Sequence, residues 1–425
     1  MPEQNRSAPL KTYFAFGTGK DLISKDQSRA QKLKHRGHPH ESEQSSDNNL
    51  STKVEHNHNC HERNAHTHVS VDTPPGVDTT DANIIHIVSG IIGGGNQTCG
   101  LLVDAGSSWV WIDSHNYSAG QKGPEKKSKS VDYAVCGLTG TEYNDFVKLP
   151  SGEPMLQRSI GVAENFTQFR TKLPEEVRNV KGILGIGPSY LLAAPRLSTA
   201  YIQERKSTKI RISISFEENG RDGLLTYSEP DESRYSGDIT YVDITRKEPS
   251  LEYWGIDLGL AYGHDVSLTS IKTGIIDPGT ALLLFRKEAY DQYKQEIGAT
   301  EDSETGLLVI QESQRGKLKS LFFTIGEANF ELTAQAQILP SSIQATIGVQ
   351  SDKIYLIVGQ LDSQTTQDDE SRAQQHADVI LGFTWLRWFC TVFVTRPDDI
   401  VDVDGNRTTG KYVRHIQVGI ANRKF

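Results

Sequence analysis

The chain has 425 residues, enough to bury a large core and to divide into two lobes. Its formal net charge of −9 argues against a nucleic-acid partner, and no apolar run approaches the ~20 residues that a membrane helix needs. The four cysteines, Cys60, Cys99, Cys136 and Cys390, are widely spread without a Cys-x-x-Cys pair, so no disulfide framework is implied and any pairing stays open.

Residues 1–82 have the composition of a poorly ordered segment: polar, charged and short of aromatics. The opening MPEQNRSAPLKTYFAF lacks a positive cap followed by an apolar core, so no secretory signal is read there. Within the segment, Asp21–Gly37 suits a short basic helix, with Leu22, Ala30 and Leu33 as its sparse apolar positions. A histidine-rich tract follows, in which His56, His58, Cys60 and His61 could hold a soft metal ion. Their spacing matches no structural zinc pattern, and a solvated tract is the favoured reading, so neither metal nor cofactor is expected. Pro74-Pro75-Gly76 marks a boundary. Sequons at Asn5, Asn49, Asn96, Asn116, Asn165 and Asn406 would be used only on a secretory route.

From Asn83 onward, short apolar or alternating runs recur between Gly, Asn, Asp, Pro and Ser turns. IIHIVSGIIGGG, GLLVDAG, WVWIDS, IRISISF, GLLTYS, LFFTIG, IYLIVG and CTVFVTR all read as strands. Helices are few, with Ala194–Gln203 and Lys287–Glu296 the best candidates. The expectation is an all-β fold of two lobes, 83–245 and 246–425, behind a segment of 82 residues.

One piece of grammar occurs once in each lobe. In LLVDAGSSWVW an apolar run delivers Asp104 into a Gly-Ser turn, and in GIIDPGTALLLF another delivers Asp277 into a Gly-Thr turn. A single Asp-x-Gly turn is commonplace. Two copies are not, because each is followed far downstream by an apolar pair and a glycine, GILGIG after the first and VILGFTW after the second. Glycine there permits a second strand to approach closely. The duplication suggests a pseudo-twofold assembly with both carboxylates at its axis. Two such carboxylates cannot both ionise cheaply, so they share a proton and divide into a general base and a general acid around one water. A paired-carboxylate glycosidase has no reason to repeat one motif per half-chain. His115 and His264, the histidines nearest the aspartates, lack metal-ligand spacing.

From residue 83 to 425 the chain resembles the pepsin-like aspartic endopeptidases, most closely their polyporopepsin-type fungal members. The two aspartate turns carry the resemblance, together with YAVCGLTGTEYNDFV, IGVAENF, GILGIGP, LKSLFFTIGEANFELTAQAQILP and the closing VGIA. It implies a secreted or vacuolar acid protease, made as a zymogen, monomeric, cutting peptide or protein substrates without nucleic acid or membrane. Asp104 and Asp277 would be the catalytic dyad, with Gly106, Ser107, Gly279 and Thr280 supporting it. Tyr133 would be the flap tyrosine and Trp111 its indole partner, with Ala134 and Val135 following in the flap. Residues 1 to about 80 would contain a prosegment, whose Lys20, Lys25, Arg29, Lys32 and Lys34 could pair with cleft carboxylates at neutral pH.

The sequence departs from the family where the dyad is braced. Ala105 and Pro278 stand where the family has Thr or Ser hydroxyls that interlock between the lobes, and proline removes its own N–H as well. Buried partners left unpaired would cost ~1–3 kcal/mol each. Trp109, Val135 and Phe383 also replace the family's smaller or more polar residues. The expectation is therefore an endopeptidase with a weakened brace, and the alternative is an inactive relative that binds peptides in its cleft.

Overall fold

The computed structural model describes residues 7–35, 83–94, 98–107, 110–119, 130–133, 138–148, 156–188, 210–218, 220–227, 229–247, 249–349, 353–361, 377–395 and 416–424. The candidate helix at 194–203, the histidine tract beyond residue 35, and Cys60 and Cys136 lie outside them. Strands dominate, as the alternating runs require. Among the described residues a sheet of thirteen strands forms the spine, and a five-stranded sheet leads to the second aspartate.

The duplication read from the sequence is present strand for strand. In the first half, Cys99–Asp104 runs parallel to Gly182–Gly185, with Asp104 opposite Gly185. The strand after the turn, Val110–Asp113, pairs with that same glycine strand from its other side, antiparallel, and then runs parallel to Leu156–Ala163. In the second half, Thr273–Ile276 runs parallel to Val379–Leu381, with Ile276 opposite Leu381. Leu283–Phe285 pairs antiparallel with that strand and parallel with Val358–Gln360. Each aspartate strand and the strand that leaves its turn are thus clamped on one shared central strand. That pairing is why the apolar-apolar-Gly runs recur. A Cβ on Gly382 would sit 2.1 Å from the Leu282 carbonyl oxygen.

Apolar side chains of both halves form one continuous core, and a second cluster gathers around Trp111, Leu102, Leu138, Phe166 and Phe169. Lys287–Ile297 is the expected helix. Its Ala289, Tyr290 and Tyr293 face inward, and Gly298 ends it at φ 64°, where a left-handed residue is needed. Among the described residues, Cys99 and Cys390 are both free thiols.

The N-terminal segment is more ordered than its composition suggests. Ser7–Phe14 is a strand inside the large sheet, paired with Asp222–Tyr227 on one side and Ile84–Ile92 on the other. The expectation of little order is corrected for residues 7–35. Average polarity concealed a period of two in which Ala8, Leu10 and Thr12 point inward and are buried. Helix Gly19–His35 follows, and its Leu22, Ala30 and Leu33 are buried as the sparse apolar positions required. The large sheet also takes in Phe389–Thr395 and Gln417–Arg423, so strands from both ends of the chain meet in it.

Candidate active site

Asp104 ends its strand 3 % exposed, and Asp277 stands just beyond its strand 2 % exposed. Each turn folds back on its own carboxylate. Gly106 N donates to Asp104 Oδ1 at 3.0 Å, and Gly279 N donates to Asp277 Oδ1 at 3.3 Å. Thr280 Oγ1 donates to the other oxygen of Asp277 at 2.6 Å. The Ser107 hydroxyl is buried but meets no hydrogen-bond partner among the described residues, so the two turns match in backbone and differ in this side chain. Asp104 and Ala105 share one small cavity with Pro278, Gly279 and Arg29, which brings the two turns face to face.

Arg29 comes from the N-terminal helix and forms a two-pronged ion pair with Asp277. Its Nε lies 2.6 Å from Oδ2 and its Nη2 2.8 Å from Oδ1, with both side chains almost wholly enclosed. Burial alone would push the Asp277 carboxyl up. The Arg29 charge and hydrogen bonds outweigh it, aided by Thr280 and Gly279, and hold the group below the usual carboxylate range. The negative field of Asp104 also falls on Arg29. Of the other basic residues of the N-terminal segment, Lys25 turns to Asp21 and the Ala15 carbonyl, and Lys20 is exposed. The side chains of Lys32 and Lys34 lie outside the described set.

One turn earlier on the same helix, Asp26 is buried completely. It accepts from Ala281 N at 2.9 Å, Leu282 N at 2.8 Å and Asn83 Nδ2 at 2.6 Å. Burial pushes its carboxyl up to about 7 against the pull of those donors. Sequence reasoning passed over Asp26, although it had a signal. Leu22, Asp26, Arg29 and Leu33 recur at helical spacing, so two charges sit on the apolar face. His86 was also passed over. It is buried, with Nε2 3.2 Å from the Pro278 carbonyl oxygen.

The residues expected in a flap are described only in part. Tyr133 ends strand Ser130–Tyr133, paired with Leu138 of the next strand, while Ala134 and Val135 lie outside the described residues, as does Trp109. Trp111 is fully buried in the second apolar cluster, against Gly161. Ala105 and Phe383 are buried as well, and Phe383 packs edge-on to Phe216 at 5.1 Å. Among the described residues no group of His, Cys, Asp and Glu is arranged to hold a metal, and no helix is long and apolar enough to cross a membrane.

Comparison with known proteins agrees with this geometry. Residues 87–400 match the eukaryotic aspartyl protease family. The chain is 36% identical over 336 residues to polyporopepsin of Irpex lacteus, covering 75% of this chain and 94% of that one. It is 27% identical over 252 residues to aspergillopepsin-1 of Aspergillus oryzae, covering 55% of this chain and 62% of the relative. A crystal structure of the Irpex lacteus aspartic proteinase superposes with a TM-score of 0.60 at 32% identity, over 80% of this chain and 95% of that one. Both aspartate turns fall inside the span 87–400, and the chain belongs to the eukaryotic aspartyl protease family.

Proposed function

We propose that this protein is an aspartic-type endopeptidase, described here with its own N-terminal segment seated on the dyad. Asp104 and Asp277 are the reacting groups. With Arg29 withdrawn, two facing carboxylates share one proton. The ionised member takes a proton from a water, which attacks the amide carbonyl, while the protonated member donates to the carbonyl oxygen. The pepsin-type dyad is the standard worked case of this chemistry. Gly106, Gly279 and Thr280 fix the carboxylate oxygens, Ser107 lines the first turn, and the flap and substrate-cleft roles fall to Tyr133, Ala134, Val135 and Trp111.

The observation that carries this reading is the two-pronged Arg29–Asp277 pair, whose arginine lines a small cavity together with Asp104. A buried guanidinium placed there occupies the ground on which a substrate amide would stand. Ala105 lacks the family's hydroxyl, and Pro278 lacks both the hydroxyl and the backbone N–H, so the brace between the turns is weakened on both sides. Residues 1–82 serve as the prosegment, the two lobes divide near 245, the product acts as a monomer on peptide or protein substrates, and the route is extracellular or vacuolar.

The test is cleavage of a denatured protein by the acid-matured chain, with and without a statine-type inhibitor. Asp104→Asn and Asp277→Asn should each lower the rate by at least ~100–10,000-fold, the range of a lost general acid or base. Cleavage that survives either substitution unchanged would sink the assignment.

A further inference from the structure

His86 joins the two aspartate-bearing segments. It lies in strand Ile84–Ile92 directly opposite Val103, the residue before Asp104, so its backbone is locked to the strand that delivers the first carboxylate. Its side chain reaches into the other half, with Nε2 3.2 Å from the carbonyl oxygen of Pro278, the residue after the second carboxylate. A carbonyl can only accept, so Nε2 carries the proton, and Nδ1 then accepts from Thr12 Oγ1 at 3.1 Å. The ring is 1 % exposed and is held between Phe216, 5.1 Å away, and Phe383, 5.9 Å away. The same stretch holds the next carbonyl of the turn, because Asn83 N and Ile84 N both donate to Gly279 O, at 3.0 and 3.2 Å. His86 supplies the side-chain part of this clasp, at the residue whose proline ring has removed its own N–H.

We propose that His86 is a positioning residue for the dyad: it holds the Pro278 carbonyl from the strand that delivers Asp104 and thereby sets where Asp277 stands relative to Asp104. The proposal rests on the endopeptidase reading above. It assigns to an imidazole, caged by the aromatic Phe383, the bracing that Ala105 and Pro278 no longer provide. A buried histidine that merely satisfied its hydrogen bonds would fill the same space, and the two roles differ in what they do to turnover. Burial pushes the ring down to about 4. The Pro278 carbonyl and Asp277 oppose this and Arg29 adds to it, so the ring stays neutral through mild acid.

The experiment uses the acid-matured protein, produced from the full chain, as wild type, His86→Gln and His86→Phe. Glutamine places a donor near Nε2; phenylalanine fills the cage without one. The Phe variant should lose on the order of a hundredfold in kcat, the cost of about an ångström of misplacement, with KM within about twofold and the Gln variant restored to within about threefold. Wild-type kcat in the Phe variant, or equal losses in both, overturns the proposal. If the wild type cleaves nothing, the endopeptidase reading fails by itself, and binding of a statine-type inhibitor reads the placement instead. Binding about tenfold weaker with Phe but not with Gln supports the proposal, and equal binding overturns it. Should the Phe variant fail to mature, nitrogen NMR of the full wild-type chain decides: an Nε2–H tautomer is required, and an Nδ1–H tautomer overturns it.

Discussion

A guanidinium buried against one carboxylate and within the field of another is costly to assemble and costly to break. Removing one partner of such a pair leaves an uncompensated buried charge, at about 3–5 kcal/mol. Arg29→Met should therefore weaken the docking of the N-terminal helix by that order. The direction in pH follows from the depressed Asp277 carboxyl. Stability from a depressed carboxyl is fully present above its unfolded value and is lost as pH falls through the folded one. The wild-type helix should thus stay seated in mild acid and let go only below the usual carboxylate range. The Met variant lacks that latch, and its N-terminal segment should be lost to maturation at about pH 5, where the wild type remains intact. Following the N-terminus by mass spectrometry across a pH series checks this. Release of both proteins at the same pH would show that Arg29 does not hold the segment.

At the scale of elements, what was legible and what was not separates along sequence distance. The strands around the aspartates were readable because each carries its own pattern: an apolar run, a charge, a glycine turn. Even the downstream glycine strands could be matched by repetition, and they pair in parallel beside the aspartate strands as that repetition demanded. The contacts by which Asp26, Arg29 and His86 reach the second aspartate turn span about two hundred positions or more, and a local pattern contains no trace of such a partner. Strand Ser7–Phe14 was missed for a different reason. Its alternation is short and is diluted by the polar composition around it, and only the slot between Ile84–Ile92 and Asp222–Tyr227 makes it a strand. Its weight can be measured. Leu10 is fully buried there, so Leu10→Ala should cost the full chain about 2–5 kcal/mol in urea unfolding. A loss under about 1 kcal/mol would place the strand outside the packed sheet.

For the whole molecule, two buried titratable groups that contact the second aspartate turn, His86 and Asp26, act in opposite directions between neutrality and mild acid. His86 is pushed down to about 4, so the unfolded chain takes up its proton first, and this group withdraws stability as pH falls from its ordinary value. Asp26 is pushed up to about 7, so the folded chain takes up its proton first, and this group adds stability over nearly the same window. Each is worth about 3–4 kcal/mol at full weight, by the conversion of pKa shift into free energy. The full chain should therefore hold a nearly level stability from about pH 7 to about pH 4. Below that the level cannot last, because Asp277, Asp302 and Glu288 all have carboxyls held down in the folded state and lose their contributions together. The fold thus loosens in the range where the Arg29 latch also gives way, which couples release of the N-terminal segment to the acid in which a shared-proton dyad operates. His86→Gln exposes the balance. With the histidine gone, Asp26 acts alone, and the urea midpoint should rise as pH falls from 7 to 4 while that of the wild type stays level. A midpoint that moves in parallel with the wild type would show that these two groups do not set the acid response.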